Sequence, residues 1–130
     1  MIEMNVITTL PHYLAAVPTL LPVDYKAIVL ASSTLSVIWH IQGEPTNLWF
    51  YLDYGGAGVW FLADVYYGNK VNKNEIVFLN LMIFFLNIYL KEYHAFWHIL
   101  SCMKCIYVSR QLQQGLIAAS TQRFRQASAV

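Results

Sequence analysis

Residues 76–90 read IVFLNLMIFFLNIYL, a run without charge, proline or glycine. Lys91 and Glu92 interrupt it, and residues 93–108 then continue apolar except for His94, His98 and Lys104. One unbroken helix over 76–108 would be about 50 Å long at about 1.5 Å per residue. A bilayer core is only about 30 Å thick. The charge pair therefore predicts a break near Lys91–Glu92, with a separate helix on either side.

The same pattern extends toward the N-terminus. Residues 48–67 are apolar and aromatic apart from Asp53 and Asp64, and residues 27–41 carry neither charge nor proline. Gly43, Glu44, Pro45, Thr46 and Asn47 read as a turn, and 68–75 is polar, with Lys70 and Lys73. A span takes about 20 helical residues, and flanking aromatic residues extend these runs toward that length. The expectation is an all-α membrane protein of about four transmembrane helices. Residues 24–110 form its helical domain. Residues 1–23 are an apolar segment broken by Pro11, Pro18 and Pro22 that lies at the membrane interface or forms a broken short helix, and residues 111–130 form a polar tail.

Composition supports this reading. Hydrophobic residues make up 58% of the 130 positions and charged residues 12%, and mean hydropathy is +0.45. Soluble domains carry about 25% charge, and a short chain cannot bury this much apolar surface against itself. A net charge of +1 leaves no footprint for nucleic acid. Cys102 and Cys105 do not make a disulfide framework. They read as a packing pair rather than a redox motif.

Basic residues orient the bundle. Lys26, Lys70, Lys73, Arg110, Arg123 and Arg125 fall on one side, Lys104 can snorkel toward it, and only Lys91 falls on the other. Both termini are then expected on the cytosolic or matrix side, with Trp39, Trp49, Tyr51, Tyr93 and Trp97 in the opposite interfacial belt. An endomembrane (endoplasmic reticulum or Golgi) is the favoured setting, and the mitochondrial inner membrane is the other.

Ionisable groups inside spans point to function. Ser36 and His40 are four apart and share a helix face, as do His94 and His98. Counting spans puts His40, Asp53, His94 and His98 at one depth on one side. Three neutral imidazoles with a water make a catalytic zinc set, although imidazole suits several metals. His12 reads as an interfacial residue rather than a ligand. Gly55, Gly56 and Gly58 read as sites of close helix approach, Asp64 as a partner for Lys70, and Asn80 and Asn87 as interhelical glue.

At these positions the chain resembles a family. Tyr93-His94-Ala95-Phe96-Trp97-His98-Ile99-Leu100-Ser101 resembles the last-helix motif of alkaline ceramidases, and Ser36-Val37-Ile38-Trp39-His40 resembles their Ser-x-x-x-His. Leu52-Asp53-Tyr54-Gly55-Gly56 is similar to the aspartate-bearing helix of the same superfamily, in particular its progestin and adiponectin receptor branch. The resemblance implies a shortened version of a seven-helix bundle. It implies His40, His94 and His98 as zinc ligands, with Asp53 and Ser36 as the catalytic pair beside the activated water. The implied activity is zinc-dependent hydrolysis of a lipid amide of the ceramide kind. Because helices of the larger bundle lack counterparts, a non-catalytic accessory subunit of a larger membrane complex is the alternative. In that case other subunits, or further copies of the chain, cover the exposed faces. A haem-binding subunit is a weaker third reading, since His94 and His98 share one helix face.

Overall fold

The computed structural model describes residues 2–129, and among them every regular element is helical. Five α-helices follow one another: α1 (Ile2–Thr9), α2 (Val23–Ile41), α3 (Leu48–Lys70), α4 (Glu75–Tyr89) and α5 (His94–Ser128). A 3-10 stretch, Leu10–Ala16, continues α1, and a short 3-10 turn, Lys91–Tyr93, joins α4 to α5.

Local chemistry sets the helix ends. Pro22, in an extended conformation, starts α2, and Asp24 follows in the first turn, where the helix dipole favours an acid. At the far end Gly43 takes φ 82°, its N–H donates to the His40 carbonyl, and the Glu44 N–H donates to the Trp39 carbonyl. This is the double hydrogen bond of a Schellman motif. The same pattern closes α3 with Asn72 at φ 57°, through Asn72 N–H to Asn69 and Lys73 N–H to Gly68. Asn47 caps the start of α3 by accepting from the Trp49 N–H.

The break expected near Lys91–Glu92 is present, and it bends the chain by 97° between the two helices. Residues 111–128, expected as a polar tail, continue α5 without interruption. Among the described residues no single helix is long and apolar enough to cross a membrane. Only the bent pair of α4 and the segment Lys91–Ser128 meets that requirement, and it does so jointly.

The N-terminal segment forms a broken short helix that packs on α5. Asn5 meets Glu44, Thr9 meets His98, His12 meets Ser101, and the Leu20 N–H donates to Gln113. The segment therefore runs alongside α5 in the same direction. It starts at the Glu44 end of the bundle, whereas α5 finishes at the other, so Asn5 and Ser128 lie at opposite ends. Its prolines stop a continuous helix, and α1 with the 3-10 stretch provides the length instead.

Tyr25, Val29, Trp60, Tyr67, Ile76, Val108 and Leu112 form much of the core. Beside it lies a buried polar knot. Asp64 is fully buried; it accepts from the Tyr25 hydroxyl at 2.6 Å and from Lys104 Nζ at 3.3 Å. Lys104 also donates to Asn80 Oδ1 at 2.8 Å. Asp64 thus pairs with Lys104 rather than Lys70, and Lys104 does not snorkel, because the interior supplies two acceptors for its ammonium. Trp39 is buried rather than interfacial, with its indole N–H on the Pro45 carbonyl. Of the three glycines expected at close approaches only Gly56 has a neighbour, Leu35 Cδ1 at 3.2 Å from where a Cβ would stand.

Candidate metal centre

His40 is the last-but-one residue of α2, and His94 and His98 occupy the first two turns of α5. The Schellman turn after α2 and the sharp bend before α5 bring these helix ends together. One ring nitrogen from each histidine lies within 4.8 Å of the others, so the three can hold a metal ion. The ring centroids of His40 and His98 are 4.7 Å apart, and those of His94 and His98 4.5 Å.

The donor set passes a direct test. Among the described residues the Nε2 atoms of His40, His94 and His98 are all buried and have no hydrogen-bond partner. Buried polar atoms normally find partners. Three bare imidazole nitrogens facing one another fit a cation that supplies the missing partner.

At His40 and His98 the other ring nitrogen is engaged. His40 Nδ1 lies 2.9 Å from Glu44 Oε1. An ionised carboxylate only accepts, so in the neutral imidazole His40 Nδ1 carries the proton and Nε2 the lone pair. His98 Nδ1 lies 3.3 Å from Thr9 Oγ1, and that hydroxyl already donates to the Asn5 carbonyl at 2.8 Å. Thr9 therefore accepts, and His98 has the same tautomer. His94 stacks against Trp97, with centroids 5.6 Å apart and planes 13° from parallel.

A cavity of about 440 Å³ adjoins this centre. Ser36, Asp53, His94 and His98 line it, and Trp60, Phe61, Leu81 and Phe84 contribute apolar wall. Asp53 and Ser36 are half-buried, and both face the same cavity. All five residues expected at the site thus come together, three as the nitrogen cluster and two on the wall of the adjoining cavity.

His12, expected at an interface, is instead buried at the edge of the site, 6.0 Å from the His98 ring. Its Nδ1 donates to the Thr9 carbonyl at 2.9 Å, and its Nε2 accepts from the Ser101 hydroxyl at 3.2 Å. With both nitrogens occupied, His12 is not a fourth ligand. Burial holds its pKa down at about 4, so it is neutral at pH 7.

Sequence reasoning missed Glu44, Thr9 and Asn5. Burial by itself would push the Glu44 carboxyl up, but hydrogen bonds from Asn5 and His40 outweigh it and leave the pKa below its ordinary value. The available signal was His40-Ile41-Gln42-Gly43-Glu44: a glycine at the C′ position folds the next side chain back toward the last helical turn.

Cys102 and Cys105 are buried free thiols in the packing between helices. Comparison with known proteins yields no match to this chain among family models, curated sequences or solved structures.

Proposed function

We propose that the chain is an integral-membrane hydrolase that uses a zinc ion held by His40, His94 and His98 to cleave a lipid amide of the ceramide kind. The observation that carries this reading is the convergence of three buried, unpartnered Nε2 atoms beside a cavity that also presents a carboxylate and a hydroxyl. Three histidine ligands leave a coordination position free, as catalytic zinc sites do and structural ones do not. The lipid setting is supported by the outer face of α4, where Phe78, Phe85 and Ile88 are exposed. Contiguous apolar surface of this kind calls for lipid or another protein.

Zinc bound there would supply a water acidic enough to ionise near neutral pH and a Lewis acid for the carbonyl oxygen. The protein's own groups do the rest. Asp53 accepts a proton on a carboxylate oxygen and returns it to the amine nitrogen as the C–N bond breaks. Ser36 holds that carboxylate in place. Trp60, Phe61, Leu81 and Phe84 exclude water and accept an acyl chain.

The test is metal content of gently purified protein by mass spectrometry, followed by lipid-amide turnover. About one zinc per chain is expected in wild type and none in His94→Ala/His98→Ala. Asp53→Asn should retain the metal and lose about 10²–10⁴-fold in rate, the range of general acid–base catalysis. Full activity in Asp53→Asn removes it as the proton carrier, and metal-free wild type removes the hydrolase reading. The apolar face of α4 also suits a subunit interface. A zinc-containing but inactive chain that co-purifies with stoichiometric partners would be an accessory subunit.

A further inference from the structure

An imidazole presents a metal with whichever nitrogen is not protonated, and the hydrogen bond at the other nitrogen decides which that is. At His40 that bond is made by Glu44, and the same Oε1 accepts from Asn5 Nδ2. Glu44 is held there by an unusual backbone, φ 60° directly after Gly43 at φ 82°. L side chains adopt this left-handed region only at a cost, and glutamate is not among the residues enriched there. At His98 the acceptor is Thr9, whose hydroxyl is itself oriented by the Asn5 carbonyl. Asn5 therefore serves both acceptors, one through its side chain and one through its backbone. It reaches them from α1, which packs beside both helix ends.

We infer, resting on the metal reading above, that Glu44 and Thr9 are the positioning residues of the metal centre. By accepting the Nδ1 protons of His40 and His98 they fix the tautomer that leaves both Nε2 atoms free for zinc, and Asn5 acts through Glu44. None of the three touches the ion. A charged acceptor also makes a stronger hydrogen bond to the Nδ1 proton than a neutral one does. His94 receives no such support and is oriented by stacking on Trp97.

The experiment is zinc competition against a chelator of known affinity on the full chain in detergent. It is paired with ¹⁵N NMR of the imidazole nitrogens in metal-free protein. Partners of this kind typically set affinity by 10–100-fold, so Glu44→Ala should bind zinc about 10–100-fold more weakly. Glu44→Gln keeps the shape and an acceptor but loses the charge, and should fall between Ala and wild type. Thr9→Val should weaken binding less than Glu44→Ala. Asn5→Ala should weaken it in the wild-type background and have no further effect in Glu44→Ala. In metal-free wild type His40 and His98 should be protonated at Nδ1, and the variants should shift toward Nε2.

Wild-type affinity in Glu44→Ala and Thr9→Val, with zinc lost in His94→Ala/His98→Ala, overturns this inference and leaves the metal reading intact. A wild-type chain that takes up no zinc overturns both. If Glu44→Ala does not fold, the isosteric Glu44→Gln and the wild-type NMR decide: His40 protonated at Nε2 overturns the assignment.

Discussion

Lys104 and Asp64 are a charged pair enclosed by α3, α4 and α5, with Tyr25 and Asn80 completing their hydrogen bonds. Removing one partner strands the other away from water, which typically costs about 3–5 kcal/mol, whereas removing both often costs far less. Lys104→Met should lower thermal stability steeply, and Lys104→Met/Asp64→Asn should recover at least half of the loss; thermal melts of wild type, both single variants and the double variant measure it. If the double variant is as unstable as the sum of its parts, the pair is not coupled. Its existence was not legible in the sequence. Asp64 is six positions from Lys70 and forty from Lys104, and only the packing of three helices shows which lysine it meets. The histidines were more legible, because counting spans fixes which helix ends share one side of the bundle. Glu44 was hidden by its context, since a glutamate between glycine and proline reads as solvent-facing turn. Only the hydrogen-bonding geometry of the Schellman motif turns it toward His40.

Helix ends are where sequence and structure agree most closely at the scale of elements. Asn47, Gly43 and the Lys91–Glu92 pair all mark real boundaries, because caps and charges act locally. Glycines inside helices were harder to read, since their role depends on what lies opposite. Gly115 carries the closest approach among the helical glycines: an added Cβ would stand 2.6 Å from Val71 Cβ. Val71 is β-branched and sits at the C-terminal cap of α3, so it has little room to move. Overpacking of this kind costs about 1–3 kcal/mol, which exceeds or cancels the roughly 1 kcal/mol that alanine gains over glycine in a helix. Gly55 lies inside α3 with nothing within 4 Å of its added Cβ. Gly115→Ala should therefore leave the melting temperature unchanged or lower it, and Gly55→Ala should raise it. The reverse order would mean that α5 does not press on the α3–α4 turn.

The whole molecule is a helical bundle whose histidine-cluster end is closed by its own N-terminal segment. Pro11, Pro18 and Pro22 make residues 1–23 read as an interfacial segment or a broken short helix, because each proline removes a backbone donor. Tertiary contacts instead hold the segment along α5, with Thr9, His12 and Ala15 buried. Two of its side chains, Asn5 and Thr9, lead to the ligand histidines, so metal uptake and ordering of the segment should be linked. A ligand that binds only the closed form stabilises it by about 2.7 kcal/mol at one hundred times its dissociation constant. Openings that break the site should then slow by about 100-fold. Hydrogen exchange with and without saturating zinc should show slowing over residues 94–101, where two ligands lie, and also over residues 2–16, which supply none. In Thr9→Val/Glu44→Ala the protection at 2–16 should no longer respond to zinc, while that at 94–101 should respond more weakly. Zinc protection confined to 94–101 in the wild type would show that the N-terminal segment covers the centre without sensing it. The link from helix α1 to the metal would then be packing alone.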